Sequence, residues 1–109
     1  MKKEYRPIVS VVVVNYNRLD LLKSCLESLS VQLFRDFEVI VVDNGSCDAS
    51  ARLIRAEIGK LVDKAVFLDE NTGFTGGCNR GIEEASGLYV ALINNDAEAD
   101  PHWLSELVK

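Results

Sequence analysis

The chain has 109 residues, 48% of them hydrophobic and 27% charged, with only two prolines; this is the balance of one folded domain and excludes a disordered tail or a two-domain enzyme. Its formal net charge of −5 removes long-range attraction for a phosphate backbone, so no nucleic-acid partner is expected. Cys25, Cys47 and Cys78 are odd in number and lack C-x-x-C spacing, which points to reduced thiols in a cytoplasmic compartment rather than a disulfide framework or a zinc site.

In chain order, a charged start precedes the apolar run 8–14, far shorter than the roughly 20 residues of a membrane span. No small-residue cleavage site follows it, only Asn15-Tyr16-Asn17-Arg18, so the run reads as a buried strand and not as a signal peptide. Leu19, Leu22, Leu26, Leu29 and Leu33 then lay one stripe along a helix of about four turns. Residues 39–42 form a second β-branched run. Asp48 is placed to cap a helix with Ala51, Ile54, Ile58 and Leu61 on one face and Gly59 weakening its last turn. Residues 65–68 form the third strand. A third helix is expected after the cluster Gly73-Phe74-Thr75-Gly76-Gly77, running to about Ser86, with Cys78, Ile82 and Ala85 inward and Gly87 as its stop. Residues 88–93 form the fourth strand, and Asp100-Pro101 reads as the N-cap and first residue of a helix cut off by the chain end.

Continuous apolar strands alternating with amphipathic helices predict an α/β fold: a doubly wound, mostly parallel sheet, buried on both faces by helices. Ligands in such folds sit outside the carboxyl ends of the strands, where the winding reverses. Those ends carry Asn15-Tyr16-Asn17-Arg18, Asp43-Asn44-Gly45-Ser46, Asp69-Glu70-Asn71-Thr72-Gly73 and Asn94-Asn95-Asp96-Ala97-Glu98. Any one tip reads equally as a polar turn, but four polar tips on one edge of a sheet read as a site.

Common nucleotide motifs fail. The first strand is followed by no G-x-G-x-x-G, and Gly76 to Gly81 has P-loop spacing with Ile82 where lysine is required. Asn15 and Tyr16 replace the paired acids of a receiver domain. No glycine-rich basic loop of the nucleotidyltransferase kind follows the first strand either.

Three ordered segments remain: 7–17, 41–48 and 92–101. Together they resemble the N-terminal, donor-binding half of a family 2 glycosyltransferase of GT-A fold, over nearly the whole chain. The resemblance implies transfer of a sugar, with inversion, from a nucleotide-diphosphate sugar to an acceptor hydroxyl, assisted by Mg or Mn. Negative charge grows on the departing diphosphate, and a cation meets it. The position matching the family's D-x-D pattern is Asn94-Asn95-Asp96, so Asp96 is the implied metal anchor. Asn94 offers neutral contacts only, which leaves metal affinity as the point of departure from the family. Glu98 is a candidate helper and equally a solvated loop acid.

Asp43 matches the family aspartate that binds base and ribose, and a carboxylate accepts a hydrogen bond from N3–H of uracil or thymine. Asn15, Tyr16 and Asn17 match the segment lining the base pocket, and Tyr16 also reads as packing. Asn79 belongs to a segment resembling the family's stretch into its third helix; the glycines there serve either anion binding or close helix–sheet approach. Arg80 and His102 read as surface residues, and Cys78 and Trp103 as core. The Asn94-Asn95-Asp96 form resembles that of rhamnosyltransferase-like members, which implies a UDP-type or, by preference, dTDP-type donor. The family's general base is expected beyond residue 109. The chain is then a donor-binding part, 1–109, of a protein acting at the cytoplasmic face of a membrane on a sugar or lipid-linked acceptor in cell-surface polysaccharide synthesis. Exposed apolar surface on such a part favours self-association. The competing expectation is a noncatalytic nucleotide-binding or assembly module on the same scaffold.

Overall fold

The computed structural model describes residues 6–109. Four strands, β1 (Val9–Asn15), β2 (Phe37–Asn44), β3 (Lys64–Leu68) and β4 (Tyr89–Asn94), alternate with α1 (Leu19–Ser30), α2 (Ser50–Glu57), α3 (Gly73–Glu84) and α4 (Trp103–Leu107). The sheet order is β3-β2-β1-β4, and every pairing is parallel. Among the described residues no helix is long and apolar enough to cross a membrane.

Side-chain alternation along the strands separates two faces. Val9, Val11 and Val13 of β1 and Val39 and Val41 of β2 join Leu22, Leu26 and Leu29 of α1, Ile54 of α2 and Leu104 of α4 in one core. Each leucine of that α1 stripe is almost fully buried, at about 1.5–3 kcal/mol apiece as an upper bound. The opposite residues, Val12, Val14 and Val42, meet α3. There Gly77 and Gly81 do what a larger residue would prevent. A Cβ on Gly77 would lie 2.6 Å from Val14 Cγ1, and one on Gly81 would overlap Val12 Cγ1. Close helix–sheet approach is the role these two glycines take.

Four expectations are corrected. The α2 face is cut short: the helix ends at Glu57, Ile58 follows in extended backbone and is 46% exposed, and Leu61 lies in the turn beyond. The α1 stripe stops short: the helix ends at Ser30, Leu33 is 61% exposed, and Cys25 takes an inward place that the leucine count passed over. The glycine cluster lies inside α3 and not before it, so the inward set is Gly77, Cys78 and Gly81, while Ile82 is 44% exposed. β4 is not buried on both faces. Among the described residues it pairs only with β1, and Val90 and Leu92, level with the α3 side of the sheet, remain exposed because α3 sits over β1 and β2.

Register makes the strand tips level. Asn15 is the partner of Asp43 across β1–β2, and Val14 is the partner of Asn94 across β1–β4. Because α1 and α2 lie on one face and α3 crosses on the other, the winding reverses between β1 and β4. The crevice of a doubly wound sheet therefore opens at Asn15 and Asn95.

Candidate functional site

Asp43 is held in place at the end of β2. It is 3% exposed, and its Oδ1 accepts hydrogen bonds from Ser46 Oγ (2.5 Å) and Asn15 Nδ2 (3.1 Å). Among the described residues its Oδ2 carries no hydrogen bond. Asn15 is wholly buried, and its Oδ1 accepts from Asn95 Nδ2 at 2.8 Å. A chain of side-chain bonds thus runs Asp43–Asn15–Asn95 across three strand tips, joining the acid of the second motif to the segment of the third. Sequence placed all three in the site; that Asn15 acts by holding its neighbours is legible only in the structure.

The β1–α1 turn is wrapped onto the β2 tip. Asn17 and Arg18 both have left-handed backbone, with φ 56° and 59°, a conformation Asn adopts readily and Arg at a cost of about 1–3 kcal/mol. Asn17 N–H donates to Ser46 Oγ (2.7 Å), and Asn17 Oδ1 accepts from Cys47 N–H (2.8 Å) and Asp48 N–H (3.3 Å). Asp48 serves two helices, accepting from Leu19 N–H of α1 (3.2 Å) and Ser50 N–H of α2 (2.8 Å). Tyr16, 43% exposed, stands free beside this turn.

Asn44, part of the second strand tip, has a structural role that the sequence does not show. It is 2% exposed, accepts from Thr72 N–H and Thr72 Oγ1, both at 2.9 Å, and donates to Gly73 O (2.9 Å). It ties the β3–α3 loop to the β2 tip. Asn79 is not brought to these tips by any contact; it is exposed within α3, and its side chain has no hydrogen bond among the described residues.

Asn94, Asp96 and Glu98 are exposed at the end of β4, while Asn95 is half-buried by its bond to Asn15. Beneath them Cys25 Sγ donates to Asn94 O at 3.6 Å. Burial, with the carboxylates of Asp96 and Glu98 nearby, pushes the Cys25 thiol up to about 11, so it stays a neutral donor. A cleft of about 330 Å³ opens beside this tip between Asn94, Glu98, Asp100 and Trp103. A larger one of about 620 Å³ runs along β4 and α4, and none of Asn15, Asp43 or Asp96 lines it; the convergent polar groups, not cavity size, locate the site.

No group of three or more His, Cys, Asp or Glu able to hold a metal ion exists among the described residues. Asp96 nevertheless presents a hard oxygen donor to solvent, without a hydrogen bond among the described residues. Mg²⁺-like ions are commonly bound through one or two carboxylates plus substrate phosphates. The residues fit a cation that arrives with a diphosphate, not an all-protein cage.

The model of "Glycosyl transferase family 2" matches residues 10–109. EpsH of Bacillus subtilis is 36% identical over 104 residues, covering 94% of this chain and 30% of that protein. A structure of Staphylococcus aureus TarS 1-349 in complex with UDP-GlcNAc superposes with a TM-score of 0.83 at 26% identity, over 92% of this chain and 30% of that one. The mannosyltransferase PcManGT from Pyrobaculum calidifontis, in complex with GDP-Man and Mn²⁺, superposes with a TM-score of 0.85 at 29% identity, over 95% and 32%. The chain spans about a third or less of the length of the curated relatives it matches. With the family model covering nearly all of it and a GT-A sheet beneath, this chain belongs to glycosyl transferase family 2.

Proposed function

We propose that the rim formed by β1, β2 and β4 binds the nucleoside diphosphate of a sugar donor, for transfer of that sugar with inversion to an acceptor hydroxyl. The observation that carries the reading is the Asp43–Asn15–Asn95 chain, which lies across the point where the winding reverses and sets Asp96 beside it. Asp43 Oδ2 is open to accept N3–H of uracil or thymine, with Tyr16 and Asn17 flanking the base. Asp96, aided by Glu98, would hold a Mg or Mn ion, which supplies positive charge to the leaving diphosphate. Asn94 contributes a neutral amide where an acid would bind the ion more strongly. Asn79, on its separate helix, enters this reading only as a contact for the donor's far end. The relatives described with UDP-GlcNAc and with GDP-Man and Mn²⁺ support a nucleotide sugar and a divalent cation.

Because the chain covers a third or less of those relatives, we infer that these 109 residues bind the donor and by themselves transfer no sugar. The acceptor, a sugar or lipid-linked sugar, and a cytoplasmic setting at the membrane face belong to the whole protein in this reading. Titration with UDP and dTDP, each with Mn²⁺ and with a chelator, tests it. Cation-enhanced binding of either nucleotide, abolished by Asp96→Ala and weakened by Asp43→Asn, is the expected result. The Asn94 substitution favours a second reading, a noncatalytic nucleotide-binding module, which predicts binding indifferent to cation and to Asp96.

A further inference from the structure

The segment that carries Asp96 leaves the sheet at Asn94 and has no strand neighbour among the described residues, yet it is pinned from below at both ends. Cys25 and Ser28 of α1 and Gln32 just beyond that helix form one polar stripe, spaced three and four residues apart, on a surface otherwise made of buried leucine. Cys25 Sγ bonds Asn94 O (3.6 Å). Ser28 Oγ accepts from Ala99 N–H (2.9 Å) while donating to Cys25 O (2.7 Å). Gln32, 2% exposed, donates from Nε2 to Asp100 O (2.7 Å) and Ser28 O (3.3 Å), and its Oε1 accepts from Leu104 N–H (3.0 Å). Leu33 N–H adds a bond to Pro101 O (3.0 Å).

Burying an amide this deeply is costly unless it is fully bonded, and a leucine in the same place would pack without that risk. What the amide supplies is attachment. It fixes the chain after the arch and the first free N–H of α4 at once. Residues 95–98 are left as a short arch between two fixed feet, with Asn95 tied sideways to Asn15 and Ala97 N–H turned onto Asn94 O. Few conformations of Asp96 survive those constraints.

We propose that Gln32 and Ser28 are positioning residues for the donor site, holding the Asp96 arch in place for the cation and diphosphate; this rests on the donor-site reading above. Neither residue touches the ligand, so their effect passes through the arch. A misplacement of about 1 Å in such a site is worth up to two orders of magnitude, and a partial loosening corresponds to about tenfold.

The test uses the 109-residue chain with UDP as probe, its affinity measured with Mn²⁺ and with a chelator, alongside hydrogen exchange at the amides of Ala97 and Ala99. Gln32→Leu and the milder Ser28→Ala are expected to cut the gain from Mn²⁺ about tenfold and to speed exchange at those amides, leaving chelator affinity within twofold. Ser28→Thr, which keeps the hydroxyl, restores both. Equal losses with and without Mn²⁺, or no change in either, overturn the positioning role. A wild-type gain from Mn²⁺ that Asp96→Ala abolishes but Gln32→Leu and Ser28→Ala retain overturns it while the donor site stands. A wild type with no gain from Mn²⁺ instead defeats the donor-site reading, and the positioning role with it.

Discussion

Asn15 is the residue whose loss separates this account from one in which polar tips are only turns. Asn15→Leu keeps the branched heavy-atom skeleton, with bulkier methyl groups, and deletes three bonds: to Asp43 Oδ1 at 3.1 Å, to Ser46 Oγ at 3.3 Å, and from Asn95 Nδ2 at 2.8 Å. The bond to Asp43 matters most, because its acceptor is a carboxylate only 3% exposed; bonds to charged groups contribute about 1.5–3 kcal/mol. The half-buried Asn95 amide can turn to water and costs about 1 kcal/mol, and the long Ser46 contact less. The expected destabilisation is about 3 kcal/mol, some two decades in the folding constant. Urea unfolding followed by far-UV circular dichroism and by Trp103 fluorescence measures it, with the m-value unchanged. UDP affinity should fall as well under conditions where the variant stays folded, since Asp43 and Asn95 both lose a restraint. A variant within about 0.5 kcal/mol of wild type would refute the claim that this chain of bonds holds the rim together.

Two further predictions concern the frame behind the site. Gly81→Ala should destabilise by about 1–2 kcal/mol despite a gain of nearly 1 in helix propensity, because the new Cβ meets Val12 and Val42 on central strands; a rise in melting temperature would show that α3 has slack. Glu38, buried at the far end of the sheet, accepts from Ser10 Oγ, Ser86 N–H and Ser86 Oγ and pairs with Lys64 Nζ at 3.2 Å. Burial pushes its carboxyl up, but the bonds from Ser10, Ser86 and Lys64 outweigh that and leave it below the ordinary value. The stability this lends is present above the unfolded pKa of about 4.3 and is lost as pH falls through the lower folded one. Glu38→Gln should therefore lower stability at pH 7 by on the order of 2 kcal/mol and flatten its decline toward acid; parallel pH profiles for the two proteins would contradict this.

Much of the frame was legible in the sequence because its signals are local. The β-branched runs fixed four strands to within a few residues, and alternation with helices fixed parallel winding. The stripe of Leu22, Leu26 and Leu29 needed no tertiary knowledge. What failed to show depends on partners distant in the chain. Nothing in Leu33 says that its helix has already ended and that its N–H goes to Pro101, 68 residues on. The exposure of Val90 and Leu92 follows from β4 having one neighbour, which an apolar run does not announce. The glycines of α3 looked like a helix start because glycine is a poor helix former; packing on Val12 and Val14 overrode propensity. In the site, Asp43, Asn95 and Asp96 stand out as polar residues at strand ends, whereas no pattern marks out Gln32, and Asn44 sits in its strand tip with no role of its own. Their buried bonds gave them away, and a single sequence carries no mark of those.

The charge around the rim bears on which ligands it can accept. The four tips hold Asp43, Asp69, Glu70, Asp96 and Glu98 against the single cation Arg18, and Arg18 lies 3.5 Å from Asp20. Two unit charges about 10 Å apart in water interact by about 0.4 kcal/mol, and by about four times that at an effective dielectric of 20. A bare diphosphate entering among several such carboxylates meets a repulsion of several kcal/mol, enough to offset the binding energy of a small nucleotide. A divalent cation carried in with the diphosphate changes its sign, and substituting asparagine for an acid at position 94 lowers the negative charge that the cation must balance. The same arithmetic predicts that, without added cation, nucleosides bind this rim better than their diphosphates do, and that raising the salt concentration narrows the difference. Isothermal titration of uridine and UDP in chelator at two ionic strengths measures it; tighter binding of UDP than of uridine under those conditions would mean that an unrecognised positive group serves the phosphates, and the role given to Asp96 would fall.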